Sequence, residues 1–362
     1  VLTVWNSHDI IENDNPYYAG RPGLDGERAG NFNIQNSDLL IIIGARMHVR
    51  QIGYNFKSFA REAYKVMVDI DKAEIDKFNL NINLKIVADI NLFLKKLIKI
   101  KNKNIINQDH KNYLNWCKNN VKKFNIIQKR HLNYNLNYIN PYAFISSLFK
   151  KLKSNSNIIT GDGTAAVMTF KAARLKRNQR LFTNKGCASM GYDLPAIIGA
   201  YFADNKKDLI CITGDGSLMM NLQELQTISG YKIPVKIFIL NNEGYHSIRQ
   251  TQHNYFQGRE IGCGKSSGLT FPSFKNIANA FNFKYFRIKN IKDCDININK
   301  IMKYKKPLIC EVNIDKNQLF EPRIVSYKDK NGRLKTPPLE EMSPRLDTKI
   351  FNETMIIKRW ED

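Results

Sequence analysis

Two short motifs in the second half of the sequence carry residues that could bind a metal ion and a phosphate group. Gly214-Asp215-Gly216 follows one apolar run, and Asn241-Asn242 follows the next one, with residues 217–240 between them. Mg²⁺ prefers octahedral oxygen coordination, so an Asp carboxylate, an Asn amide oxygen and a backbone carbonyl would leave positions for phosphate oxygens and water. The pattern therefore favours a shared magnesium and phosphate site.

The elements around the two motifs should bring them together. Residues 208–213 and 234–240 are predicted strands, and the segment between them is long enough for a helical crossover. A right-handed crossover makes the strands parallel, and neighbouring strands lie about 4.8 Å apart. Asp215 and Asn242 are then expected side by side at the carboxyl edge of a sheet.

The crossover is predicted to be a single helix that starts at the first motif. Ser217 can cap it, the side chains of Leu218, Leu222, Leu225 and Ser229 share one face, and Gly230 suits its end. Gly216 would let the backbone approach a phosphate closely, and the free N–H groups of the helix amino terminus would face it.

This arrangement resembles the signature of the thiamine-diphosphate enzymes, in which Gly-Asp-Gly is followed at a similar spacing by Asn-Asn. The resemblance implies Asp215 and Asn242 as side-chain ligands of Mg²⁺ and Gly244 as the carbonyl ligand. It also places Gly214, Gly216 and Ser217 beside the cofactor. The alternative is a pair of ordinary turns at strand ends.

A second copy of the tripeptide, Gly161-Asp162-Gly163, provides an internal comparison. Ala188-Ser189 stands where Asn-Asn would be required, so this copy is not predicted to be the metal motif. The equivalent loop of the acetolactate-synthase family contacts the diphosphate, which implies the same role for Gly163, Thr164 and Ala165. The family commonly has Gln and His at the last two of these positions.

Residues 186–195 are similar to the family segment that ends in Met-Gly-x-x-Leu-Pro. The resemblance implies that Met190 lies beneath the bent cofactor and supports its V shape, with Ser189 beside it. An unbranched, polarizable side chain suits that position. The alternative is a core methionine next to a helix start.

The segment after the metal motif departs from the family. Tyr245 and His246 are expected near the cofactor, and His246 is either a proton-transfer residue or, as the simpler interpretation has it, a solvated loop histidine. The Trp that acetolactate synthases usually carry a few residues on is missing, so the acceptor substrate is left open. The segment after the metal motif is more similar to acetolactate-synthase-like proteins that act on sugar-nucleotide precursors.

Residues 262–266 resemble the end of a phosphate-binding P-loop. Arg259 stands where the first Gly of that motif should be, so a P-loop is not predicted.

The predicted fold class is α/β, with two doubly wound parallel-sheet domains. Residues 1–95 would form an incomplete Rossmann-like middle domain, with strands at 1–5, 39–43, 65–70 and 85–87 and a helix near 54–63. Residues 96–140 are expected to be a helical linker, 141–315 the thiamine-diphosphate and magnesium domain, and 316–362 an extended carboxyl-terminal arm.

The resemblance covers the middle and diphosphate-binding domains but no pyrimidine-binding domain. That domain carries the catalytic Glu of the family, so no catalytic residue is assigned in this chain. The chain is expected to be a fragment or one half of a split enzyme, to bind cofactor weakly alone, and to share its site with a partner subunit in a homodimer or homotetramer. Gly44-Ala45-Arg46 matches the first turn of the family's FAD-binding middle domain. Residues 47–51 depart from the usual pattern of that domain, so the sequence leaves FAD binding open.

The implied reaction is decarboxylation of a 2-keto acid, pyruvate in the first instance, followed by attack on a second carbonyl. Simple 2-keto-acid decarboxylation and a non-catalytic cofactor-binding subunit are the alternatives.

Bulk composition argues against other classes of function. The formal net charge of +23 comes from lysines spread along the chain, which does not favour nucleic-acid binding. No apolar run is long enough to predict a membrane span. The six cysteines form no C-x-x-C pair, and Cys211 and Cys310 lie in apolar strands, which is typical of buried thiols in a reducing cytoplasm.

Overall fold

The computed structural model describes residues 1–77, 80–100, 108–204 and 207–361. Contacts divide the chain into two compact units, and neither is a continuous stretch of sequence. The first unit contains Val1–Val4, Pro16–Asn125 and the chain from Glu321 onward. The second contains Trp5–Asn15 and Ile126–Phe320. The domain boundaries at residues 95, 140 and 315, which were expected from the resemblance to the family, stay a prediction.

A parallel sheet in the order β1-β2-β3 organises the first unit. Its strands follow the predicted apolar runs closely, although β1 and β3 are largely exposed in the described chain and only β2 is mostly buried. The strands are β1 Leu39–Ile43, β2 Tyr64–Asp69 and β3 Leu84–Val87, and the helices before, between and after them are α1 Arg28–Gln35, α2 Val49–Ile52, α3 Lys72–Asp76, α4 Ile90–Lys99 and α5 Gln108–Lys123.

Two expectations for this unit were wrong. Residues 1–5 form no strand, and a short 3₁₀ helix begins at Trp5. The helix expected near 54–63 is only the 3₁₀ turn Phe56–Ser58. Gly53 and Ala60 have φ angles of 79° and 41°, in the left-handed region where a right-handed helix cannot continue.

The second unit is built on a parallel sheet in the order β5-β4-β6-β7-β9-β8. Apolar clusters cover both of its faces, as the doubly wound prediction required: Phe144 and Phe238 pack on one side, Ile237 and Ile239 on the other. The strands are β4 Ser156–Thr160, β5 Arg180–Phe182, β6 Asp208–Gly214, β7 Lys236–Asn241, β8 Lys284–Ile288 and β9 Leu308–Asn313. The helices are α6 Pro141–Lys151, α7 Thr164–Ala172, α8 Asp193–Ala203, α9 Asp215–Met220, α10 Glu224–Gly230, α11 His246–Tyr255, α12 Phe274–Ala280 and α13 Ile291–Lys303.

The crossover helix after the first motif differs from its prediction. It is two helices, because the chain leaves helical geometry at Asn221, where φ is −138°. Gly214 occupies the cap position and Ser217 lies inside α9, so the prediction that Ser217 caps the helix was wrong.

The carboxyl-terminal segment belongs to the core of the first unit and is not an extended arm. It forms the hairpin strands β10 Tyr327–Lys328 and β11 Leu334–Lys335 and the helix α14 Thr348–Thr354. Leu339 and Met342 are buried in the same apolar cluster as Ile52. Asn31 Nδ2 donates to the carbonyl of Leu339 at 2.8 Å.

Candidate functional site

The two halves of the predicted metal motif meet at the carboxyl edge of the second unit's sheet. Strands β6 and β7 are parallel neighbours, with Gly214 opposite Leu240, which confirms the predicted strand pairing. The backbone N–H groups of Asn242 and Gly244 donate to Asp215 Oδ2 at 3.1 and 3.0 Å. The expected juxtaposition of Asp215 and Asn242 is therefore present.

Asp215 is a buried carboxylate in a cage of backbone donors. Its other oxygen, Oδ1, accepts from the N–H of Gly216 at 2.8 Å. Burial raises the pKa of Asp215 to about 6, and the surrounding N–H groups, that of Gly244 foremost, oppose the rise. Because the buried charge is only partly compensated by these dipoles, a bound cation would stabilise the ionised form.

Asn242 presents a buried oxygen without a hydrogen bond. Its amide nitrogen donates to Thr164 Oγ1 at 3.0 Å, which fixes the orientation of the side chain. Its Oδ1 is buried and has no hydrogen-bond partner. Leaving a buried acceptor unpaired costs about 1–3 kcal/mol, so such an atom calls for a ligand. An unpaired amide oxygen, on a residue whose backbone N–H donates to a caged carboxylate, fits Mg²⁺.

The turn that carries Asn242, residues 241–244, has an uncommon backbone. Glu243 and Gly244 both have positive φ angles, 58° and 145°. A Cβ atom on Gly244 would lie 2.0 Å from the carbonyl oxygen of Cys263, so no other residue fits there without moving the backbone. The position implied as the carbonyl ligand thus requires glycine.

Gly216 is required by a neighbouring ring. A Cβ atom there would lie 2.2 Å from Cε1 of Tyr245, whose ring covers this glycine. Burial and the charge of Asp215 raise the pKa of the Tyr245 hydroxyl. Tyr245 therefore lies against the metal motif, while its place beside the cofactor stays a prediction.

The first tripeptide reaches the same edge through strand β4, which pairs with β6. Gly163 caps α7 with a φ of 68°, so the first N–H groups of that helix, at Thr164 and Ala165, lack intrahelical partners. Such groups suit a diphosphate.

Asp162 belongs to this cluster, although the resemblance to the family implied no role for it. Burial raises its pKa to about 6, and nearby Lys185 lowers it. Its Oδ2 is buried without a hydrogen-bond partner. The sequence did contain a signal for Asp162, because Gly161-Asp162-Gly163 repeats, after another strand, the tripeptide that contains Asp215.

The turn of Ser189 and Met190 is fastened to α9. The N–H of Gly191 donates to Ser217 Oγ at 2.9 Å, and Asn221 Nδ2 donates to the Gly191 carbonyl at 2.9 Å. Ser217 Oγ in turn donates to the fully buried Asp193 at 3.1 Å. Ser189 is exposed and Met190 half-buried. The structure thus links this turn to the metal motif's helix, while the role of Met190 stays a prediction.

His246 is buried, so the interpretation as a solvated loop residue was wrong. Its ring lies edge-on against Phe320, with centroids 4.9 Å apart. Burial, assisted by the charge of Arg249, lowers its pKa to about 4. The side chain is therefore neutral near pH 7, and its role as a proton-transfer residue stays a prediction.

Other kinds of site receive no support from the described residues. Within them, no three His, Cys, Asp or Glu side chains come close enough to hold a metal ion, so a cation bound at Asp215 would need amide and backbone oxygens as its other protein ligands. Across the same residues, no helix has the length and apolar character to cross a membrane.

Comparison with known proteins gives two matching family models. The thiamine pyrophosphate enzyme central domain matches residues 1–97, and the thiamine pyrophosphate enzyme C-terminal TPP binding domain matches residues 160–312.

Individual relatives agree with these matches. The acetolactate synthase large subunit of Cyanidium caldarium is 31% identical over 88% of this chain and 54% of its own length. A probable acetolactate synthase large subunit of Methanococcus aeolicus is 31% identical over 87% of the chain and 53% of its own length. The acetolactate synthase isozyme 2 large subunit of Escherichia coli (strain K12) is 29% identical over 87% of this chain and 54% of its own length. The chain thus spans about half the length of the curated relatives it matches.

Proposed function

Because the chain belongs to the thiamine pyrophosphate enzyme family, we propose that it supplies the Mg²⁺ and diphosphate half of a carboligase site. The proposed reaction is acetolactate-synthase-like: a 2-keto acid, pyruvate first of all, is decarboxylated and the remainder is joined to a second carbonyl. The relatives named acetolactate synthase support this reading of the substrate class.

The observation that carries the proposal is the unpaired, buried Oδ1 of Asn242, a residue whose backbone N–H donates to the caged carboxylate of Asp215. These are the two positions at which the family signature requires metal ligands. The residues present therefore fit Mg²⁺ with Asp215, Asn242 and the Gly244 carbonyl, and they fit a diphosphate at Gly163, Thr164 and Ala165.

The chain's own residues bind and orient in this proposal. Thiamine diphosphate, when bound, supplies the carbanion chemistry that removes CO₂ from the keto acid. Met190 would support the bent cofactor, and Tyr245 and neutral His246 would line the region beside it and exclude water. The pyrimidine-binding domain of a partner subunit, in a homodimer or homotetramer, would supply the Glu.

FAD binding at Gly44-Ala45-Arg46 stays a prediction. In the structure the guanidinium of Arg46 pairs with Glu74 at 2.6 Å.

The first test is calorimetric titration of thiamine diphosphate into the protein with and without Mg²⁺. We expect Mg²⁺-dependent binding that is at least about 10-fold weaker in Asp215→Ala and Asn242→Ala, since each variant removes a ligand oxygen. Asp208→Ala, at the opposite end of strand β6 and paired with Lys153, should bind as the unchanged protein does. Equal binding by all four proteins would contradict the proposal.

Product analysis then separates the reactions. With a pyrimidine-binding domain present and pyruvate as substrate, acetolactate or acetoin supports carboligation, whereas acetaldehyde alone supports simple decarboxylation. Binding without any product would favour a non-catalytic subunit.

A further inference from the structure

A group of polar side chains lies on one face of the sheet at the point where strand β7 leads into residues 241–244, the metal turn. Along β7 the residues on this face are Ile237, Ile239 and Asn241, and along β9 they are Ile309, Glu311 and Asn313. The apolar core of this face thus gives way to polar residues at the carboxyl edge. Tyr285 and Arg287 of β8 complete the group.

These side chains form a connected chain of hydrogen bonds that ends at the metal turn. Tyr285 Oη donates to Glu311 Oε2 at 2.5 Å, and Asn241 Nδ2 donates to Glu311 Oε1 at 2.8 Å. Asn241 Oδ1 accepts from the backbone N–H of Glu243 at 3.1 Å. Asn241 is therefore held in one orientation, with its oxygen on the turn and its nitrogen on the buried carboxylate.

The metal turn needs an anchor that is not itself a metal ligand. Its left-handed residue Glu243 persists only where the surroundings hold it. On the other side of the turn, the bonds from Asn242 and Gly244 go to Asp215 Oδ2, an atom of the carboxylate that would also bind the cation. Asn241 and Glu311 hold the turn without using that carboxylate.

We propose that Glu311 is a positioning residue for the metal site and acts through Asn241, which keeps Asn242 Oδ1 and the Gly244 carbonyl in place. This inference rests on the proposed function. It assigns a task to the first Asn of the Asn-Asn pair and to a residue in the last strand of the chain's larger sheet.

The surroundings of Glu311 allow the effect of Glu311→Ala on metal binding to be separated from an effect on folding. Asn241, Tyr285 and Glu311 line a cavity of about 510 Å³ that is open to solvent. Water can therefore reach Asn241 and Tyr285 when the carboxylate is removed, so Glu311→Ala leaves no sealed, unpaired donor behind. The loss should fall on the geometry of the metal turn.

The test uses Mn²⁺ as a paramagnetic substitute for Mg²⁺, with its free concentration followed by EPR in the presence of thiamine diphosphate. We expect Glu311→Ala and Asn241→Ala each to weaken Mn²⁺ binding by about 10-fold, the order found for residues that orient metal ligands. The double variant should be little weaker than either single one, because both act through the same contact. Glu311→Gln keeps one acceptor oxygen, and its affinity should lie between that of Glu311→Ala and the unchanged protein.

Asn290→Ala is the matched control. Asn290 is also buried and caps α13 by accepting from Asp293, so its loss lowers thermal stability without touching the metal turn. Weakening of Mn²⁺ binding by this control as large as that by Glu311→Ala would overturn the inference, as would unchanged binding by Glu311→Ala. Absence of Mn²⁺ binding in the unchanged protein would instead overturn the proposed function, and the inference with it.

Discussion

The two glycines that flank Asp215 have different tasks, although the sequence presents them as one motif. A Cβ atom on Gly216 would overlap the ring of Tyr245, whereas the nearest atom to a Cβ on Gly214 is 4.0 Å away. Gly214 also has an ordinary backbone, with φ of −88°. Steric demand within the tripeptide therefore falls on Gly216.

We expect Gly216→Ala to lower the free energy of unfolding by about 1–3 kcal/mol, the usual cost of overpacking, and to displace Tyr245. Gly214→Ala should cost less than about 1 kcal/mol, since only cap preference changes. Urea denaturation of both variants checks the difference. A larger loss in Gly214→Ala than in Gly216→Ala would show that the Tyr245 contact is not what selects glycine.

At the scale of elements, the helical pattern of the sequence hides the break between α9 and α10. The apolar side chains Leu218 and Leu225 point into one core on both sides of the break, so their spacing predicts one continuous helix. The break frees Asn221 to donate to the Gly191 carbonyl. The turn that carries Met190 is therefore hydrogen-bonded to the residue at which α9 ends.

Removing this fastening should loosen the Met190 turn and leave the sheet unchanged. We expect Asn221→Ala to increase hydrogen exchange at residues 188–192, with a stability loss of about 1 kcal/mol for the lost bond. Hydrogen–deuterium exchange mass spectrometry measures exchange at residues 188–192 and in the sheet. Gln226→Ala, an exposed position on α10, is the control, and equal exchange at the turn in both variants would contradict the assignment.

At the scale of the whole molecule, burial separates the cysteines into two groups. Cys187 is exposed, while Cys117, Cys211, Cys263, Cys294 and Cys310 are buried and unpaired. Burial raises the pKa of Cys294 to about 12 and that of Cys211 well above its usual range. The prediction that Cys211 and Cys310 are buried was confirmed.

Folded protein should therefore expose a single thiol to Ellman's reagent. We expect one of the six cysteines to react rapidly under native conditions and all of them after denaturation, because only Cys187 is accessible to the reagent in the folded protein. In Cys187→Ser the rapid phase should disappear. A rapid phase that survives this substitution would mean that one of the buried cysteines is accessible.

The sequence alone was sufficient for the parts of this protein that depend on local pattern. Apolar runs located β1, β2, β3, β6 and β7, because strands are rich in apolar, β-branched residues. Of these strands, β6 and β7 are almost entirely buried, whereas β1 and β3 are largely exposed. The spacing of Gly214-Asp215-Gly216 and Asn241-Asn242 placed two polar groups at one sheet edge, because parallel neighbours end at the same edge.

Only the tertiary structure decided the features that depend on contacts between distant residues. Asn31 and Leu339 are far apart in sequence, yet their hydrogen bond places the carboxyl-terminal segment in the first unit. The burial of His246 and the link from Glu311 to Asn241 likewise require neighbours from separate strands and loops. A periodic pattern reports which face of an element is apolar, but not which polar group lies opposite it, and that choice is made by packing.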